Sequence, residues 1–163
     1  MKRKGAAEAH ASAKWARATT LGTEVRSRRG RHFARVLYED TDQARIVHHA
    51  SYFRYLEAAR IELFRENGFD YARFEREAGL GLPVAEVRLR YRSAARFDDE
   101  LEIATWTSKA SRASIWLDAE IRRDGALLVE SSVRLACVSL ADGSIRRIPD
   151  GVLDACLERG HGI

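Results

Sequence analysis

From Val84 to Arg92 apolar and polar residues alternate: Ala85, Val87, Leu89 and Tyr91 fall on one side, Glu86, Arg88, Arg90 and Arg92 on the other. A period of two marks a half-buried strand with one solvated face. The period recurs at Leu101, Ile103 and Thr105 against Glu102, Ala104 and Trp106. It recurs again at Ile115, Leu117, Ala119 and Ile121 against Trp116, Asp118, Glu120 and Arg122. A longer strand is expected from Ala126 to Leu140, with Val129, Val133, Leu135 and Cys137 toward one face. Asp124-Gly125 before it is the strongest hairpin signal in the chain. Upstream the period changes. Tyr52, Leu56, Ala59 and Leu63 are spaced as one helical stripe, so Ala50 to Asn67 is expected to be a long helix. Gly68 is its left-handed stop. Asp70 caps a second short helix, Tyr71 to Ala78, closed by Gly79 and Gly81 before Pro83 opens the next strand. Arg35 to Tyr38 reads as a short strand ahead of the long helix. Asp142-Gly143 makes a turn, Pro149 ends the sheet, and Val152 to Leu157 is expected to form a short terminal helix.

Strand, long helix, then about four consecutive antiparallel strands is an α+β order. The helix is the only element long enough to cover the apolar face of a single sheet, so the sheet must wrap it. Trp106 and Trp116 stand among charges on the opposite face, so a second subunit is expected to cover part of it. The 163 residues suit one domain. No apolar run approaches the ~20 residues that span a bilayer. Cys137 and Cys156 have no CxxC spacing, so neither a disulfide framework nor a zinc site is expected, and a reducing cytoplasm is the simplest setting.

The net charge of +4 is unevenly placed. Residues 1–31 hold nine Lys/Arg against Glu8 and Glu24, leaving residues 32–163 slightly acidic. That first segment is short of large apolar residues; only Trp15, Leu21 and Val25 are available to anchor it. It is expected to be a basic, flexible extension that contributes little to the core, with the domain occupying 32–163.

Between Arg35 and Arg60 the chain carries its chemistry. Glu39, Asp40 and Asp42 place three carboxylates within four residues, with no basic partner inside the turn. His48-His49-Ala50-Ser51-Tyr52 follows, and the helix starts there. Its free N–H groups and positive dipole end point back toward the carboxylates or toward anything bound between them. His48 and His49 point about 100° apart on a helix and HExxH is absent, so no metal site is expected.

The run VLYEDTDQARIVHHASYFRYLEAAR resembles the opening of the 4-hydroxybenzoyl-CoA thioesterase-like branch of the hotdog-fold superfamily, which includes the acyl-CoA thioesterases encoded beside Tol-Pal genes. The likeness runs from about Arg35 to Pro149, where VSLADGSIRRIP resembles the family's last strand and its ending. It implies a hotdog fold of about five antiparallel strands around one central helix. It implies hydrolysis of an acyl thioester, carried by coenzyme A or acyl carrier protein, to a free acid and a thiol. The catalytic carboxylate falls on Asp42, as nucleophile or general base, and the donor to the thioester oxygen on the His49 backbone N–H. His48 and Tyr52 take the aromatic positions at the helix start, and Glu57 the acid within the helix. Arg112, Arg146 and Arg147 match the basic rim that meets coenzyme A phosphates, though each also reads as an ordinary surface arginine. No cofactor is implied beyond the coenzyme A of the substrate. A homodimer is the minimum assembly and a homotetramer the next, with each site at an interface. Arg45 stands where the family usually has Gly. Two other readings stay open. A hotdog enoyl-thioester hydratase would have His five residues after the Asp and an Asn-Pro, whereas here His48 lies six after Asp42 and no Asn-Pro follows. A non-catalytic module binding an acyl ligand or nucleic acid would use the basic extension.

Overall fold

The computed structural model of the chain describes residues 15–20 and 23–158. In chain order the elements are β1 (Trp15–Thr20), β2 (Thr23–Arg35), a 3-10 turn (Tyr38–Asp40), α1 (Ser51–Glu66), α2 (Tyr71–Ala78), β3 (Leu80–Gly81) and β4 (Val84–Tyr91). They continue as β5 (Glu100–Ala110), β6 (Ser114–Arg123), β7 (Ala126–Ala136), β8 (Val138–Ser139), α3 (Asp150–Cys156) and β9 (Leu157–Glu158). Among the described residues a seven-stranded sheet runs β4-β7-β6-β5-β1-β2-β9, and β3 pairs β8 beside it. The β4–β7, β7–β6, β6–β5 and β5–β2 ladders are antiparallel. Among the described residues β1 pairs β5 in parallel at Thr19–Lys109 and Thr20–Ala110, while β2 pairs β5 directly from Arg29 to Arg35.

α1 packs its apolar stripe against the inner face of this sheet, burying Tyr52, Tyr55, Leu56, Ala59, Leu63 and Phe64. Each large side chain so buried is worth about 1.5–3 kcal/mol. The core divides along the helix. Val47, Tyr52, Leu56, Leu101, Ile121 and Val129 surround its first turns. Leu63, Phe64, Ile115, Leu135, Ile148 and Val152 surround its last. β5 and β6 show the alternation expected, with every second residue buried. Asp124 and Gly125 both have positive φ, as the two central residues of a type I′ hairpin require.

The expected sheet wrapped around one long helix is present, with seven strands among the described residues. Two other expectations are corrected. The strand expected at Arg35–Tyr38 ends at Arg35, and Tyr38–Asp40 is a 3-10 turn instead. The domain boundary expected at 31/32 falls inside β2, and Trp15–Thr20 form a strand paired with it. Residues 1–14, 21 and 22 of the expected extension lie outside the described residues. The physical reason is Gly30. A Cβ there would come within 3.1 Å of Leu63 Cδ1, so α1 lies almost directly on the β2 backbone. A strand that close to a helix carries small residues instead of an apolar stripe, and its period-two signal vanishes. Ser27 is fully buried and its Oγ accepts from the Thr107 N–H at 2.7 Å. Arg28 Nη1 donates to Asn67 Oδ1 at 2.9 Å, tying β2 to the end of α1.

Candidate active site

Between β2 and α1 the chain makes a 3-10 turn, a tight hairpin and a helix start. Thr41 bridges Val47, the Asp42 N–H donates to Ile46 O at 3.0 Å, and the Arg45 N–H donates to Asp42 O at 2.9 Å. Asp42 Oδ1 accepts from the Ala44 N–H at 2.8 Å, the local bond that suits aspartate to the first position of a turn. Arg45 has φ 59, the left-handed conformation that glycine adopts without strain. The turn therefore keeps the glycine geometry with an arginine in it.

The two aspartates of this turn have separate environments. Asp40 is buried. Its Oδ2 accepts from the Leu37 N–H at 2.9 Å, and Oδ1 pairs with Arg54 of α1. Burial works to raise its pKa, but the Leu37 N–H, the Tyr55 hydroxyl and the Arg54 guanidinium outweigh that and hold it below its ordinary value. Burial and the Asp40 carboxylate push the Tyr55 hydroxyl up in turn, although that hydroxyl lies outside hydrogen-bond geometry. Asp42 is partly exposed and lines a cleft of about 370 Å³ with Ile46, His49, Tyr52, Tyr91 and Ser93.

The helix start forms the facing wall. α1 has no side-chain cap and no acid in its first turn. His48 Nδ1 accepts from the Ala50 N–H at 3.2 Å, and His48 O accepts from the Ser51 N–H at 2.8 Å. The carbonyl and N–H of a trans peptide point opposite ways. With its His48 carbonyl turned to the helix, that peptide directs the His49 N–H away from it, and among the described residues nothing accepts from that N–H. Tyr52 is buried, its hydroxyl accepts from the Ala95 N–H at 3.1 Å, and burial pushes its pKa up. Asp42 and His49 thus line one cleft, beside a helix start that no side chain caps.

The remaining residues singled out lie elsewhere. Glu57 is exposed, pairs loosely with Arg60 at 3.9 Å, and lines a separate hollow of about 130 Å³ with Phe53, Leu56, Val84 and Val87. Arg112 lies beside the 146–148 stretch in backbone, its O accepting from the Ile148 N–H at 2.9 Å, and Arg146 pairs with Asp142 at 3.8 Å. The neighbouring Ile148, Ile115 and Cys137 belong to the core around the last turns of α1. α1 is about 24 Å long at 1.5 Å per residue, so these arginines stand far from Asp42 of the same chain. Another hollow, of about 350 Å³, lies on the outer sheet face among Arg88, Trp106, Glu120 and Glu130, away from Asp42. Among the described residues no three metal-ligating side chains come together. Tyr91 was not foreseen as a site residue. Its place on the apolar side of the 84–92 alternation was the available signal.

One helix held in a wrapped antiparallel sheet, with a carboxylate turn at the helix start, defines a hotdog-fold protein. Residues 36–156 match the model of the thioesterase-like superfamily, and the chain belongs to that family. It is 35% identical over 106 residues to the acyl-CoA thioesterase YbgC of Haemophilus influenzae, covering 65% of this chain and 78% of that protein. The crystal structure of hypothetical protein TT1821 from Thermus thermophilus superposes with a TM-score of 0.72 at 33% identity, over 77% of this chain and 95% of that one. A 1,4-dihydroxy-2-naphthoyl-CoA thioesterase from Synechocystis, 18% identical, shares the fold with a TM-score of 0.73 over 78% of this chain and 94% of its own.

Proposed function

We propose that this chain hydrolyses acyl thioesters of coenzyme A or acyl carrier protein to a free acid and a thiol. The observation that carries the reading is the shared cleft: Asp42 and the helix start at His49 line one cavity of about 370 Å³. Asp42 attacks the thioester carbonyl itself or deprotonates a water that does so, and the His49 N–H stabilises the oxyanion. Neither step calls for a metal or organic cofactor, coenzyme A being part of the substrate. The family and the name of the Haemophilus influenzae relative support the same chemistry.

The reading extends to assembly. β4 pairs only β7 among the described residues, and Val84, Val87 and Tyr91 on it are exposed. An unpaired apolar edge of that length is a template for another strand. A homodimer joined along this edge is the smallest form proposed, with a homotetramer next. Because Arg112, Arg146 and Arg147 stand a helix length from Asp42, a role on coenzyme A phosphates places them at the site of a neighbouring copy. Cys137 and Cys156 are buried free thiols, and burial pushes Cys156 up to about 12, which suits core residues in a reducing cytoplasm. Among the described residues no helix is long and apolar enough to cross a membrane.

The test is thiol release from a panel of butyryl-, decanoyl- and benzoyl-CoA, alongside light scattering. Turnover of at least one thioester by an oligomer is expected. Tight binding without turnover throughout would overturn thioester hydrolysis and leave the hydratase and the acyl-ligand module.

A further inference from the structure

We infer that Tyr91 is a positioning residue for hydrolysis: its hydroxyl, donated across the cleft to the His49 carbonyl, fixes the residue whose N–H faces the thioester oxygen. The inference rests on the proposed reading of that N–H as the oxyanion donor. Tyr91 closes β4 and pairs with Val129 of β7, so its backbone is held by the sheet. Its ring sits 5.6 Å from that of Tyr52, and its hydroxyl donates to His49 O at 3.0 Å.

His49 is gripped on both sides. On its N-terminal side, the His48 N–H donates to Asp40 O and His48 O accepts from the Ser51 N–H, both at 2.8 Å. On its C-terminal side the carbonyl accepts from Tyr91 Oη at 3.0 Å. α1 has no side-chain cap that would hold this corner instead. Without the phenol, the His49–Ala50 peptide is free to turn, and His49 shifts in position although its N–H stays in the plane set by the His48 carbonyl. Misplacing a reacting group by about 1 Å can cost on the order of 10²-fold in rate, and loosening a donor that is still present costs less.

The variant is Tyr91→Phe, which keeps the ring and removes one hydroxyl. It is assayed with the acyl-CoA of the panel that turns over fastest. It is also bound to the unreactive ketone analogue of that substrate, in which a methylene replaces the sulfur and the carbonyl carbon is ¹³C. A hydrogen bond to the carbonyl oxygen moves the ¹³C resonance of the bound ketone away from its free position. In Tyr91→Phe, kcat is expected to fall about 10-fold with KM within about 2-fold. The melting temperature is expected to hold, and the bound resonance to move back toward the free position. An unchanged kcat overturns the inference. So does a kcat loss with an unchanged ¹³C shift, which marks a structural role only. If the wild-type protein itself leaves the resonance at its free position, the oxyanion-donor reading fails before Tyr91 is in question.

Discussion

The two ends of α1 are built in opposite ways. At its C-terminal end the carbonyls of Leu63, Phe64 and Arg65 all accept hydrogen bonds. Asn67 Nδ2 donates to Leu63 O at 2.6 Å, the Phe69 N–H donates to Phe64 O at 3.0 Å, and Gly68 takes φ 79. Arg28 reaches from β2 to Asn67, and α3 packs Val152 and Cys156 over Leu63 and Phe64. At the N-terminal end no side chain caps the helix, and its neighbour is a cleft. A side-chain cap is typically worth about 1 kcal/mol, so leaving one out forgoes stability. It also leaves backbone donors free for a ligand. The same division repeats within the acidic turn, where Asp40 is buried and paired and Asp42 faces the cleft. Stability is concentrated at the closed end of the helix, and the corner proposed to carry the chemistry is left open.

Variants at the closed end and in the turn give this contrast its first tests. Leu63→Ala is expected to cost about 2–5 kcal/mol of unfolding free energy, because it opens a cavity against β2 and α3. Denaturant unfolding measures that loss. The kcat of the remaining folded protein should stay within a few-fold, and a matching collapse of kcat would break the division between ends.

Asp40→Ala comes next, at about 1–3 kcal/mol, since it removes the buried carboxylate that the Leu37 N–H and Arg54 bond to. Its pH dependence follows from the sign of the shift. The folded-state carboxyl lies below its ordinary 3.8, so the stability it contributes is present above that value and fades as pH falls below it. The difference between wild type and Asp40→Ala should be full near neutrality and shrink in strong acid. A difference that is constant with pH would show that the carboxylate charge has no part in holding the turn.

Asn67→Ala should cost about 1 kcal/mol through the lost bond to Leu63 O, read as a lowered melting temperature with unchanged kcat. The smallest effect is expected at Arg45→Gly. Relief of the left-handed strain and the added freedom of the unfolded chain nearly cancel, leaving less than about 1 kcal/mol. Arg45→Val, β-branched at the same φ, should lose stability by melting assay.

How much of this was legible depended on whether a residue's partner lay nearby in sequence. α1, α2, the Asp70 cap and the hairpin at Asp124-Gly125 are local devices, and they stand where their residues indicated. β2 was hidden because the helix demands Gly30 and other small residues on its inner face, which erases the alternation. The acidic turn did have a basic partner, Arg54, but on α1 fourteen positions after Asp40. Asp42 and His49 were readable as a carboxylate and a helix start. Tyr91 was not, because its bond to His49 spans forty-two positions and exists only once β4 is laid beside α1. Arg45 stands where the family usually has Gly, yet it takes φ 59 there and the hairpin hydrogen bonds are present.

The most direct test of the central claim is turnover of Asp42→Asn against wild type, on the fastest thioester of the panel, with both melting temperatures measured alongside. Asparagine keeps the shape and the acceptor for the Ala44 N–H, and removes the charge that attacks or deprotonates. The account predicts a loss of about 10²-fold or more in kcat, roughly 3 kcal/mol of barrier, with the melting temperature unchanged. An Asp42→Asn protein that turned over at near the wild-type rate would contradict it.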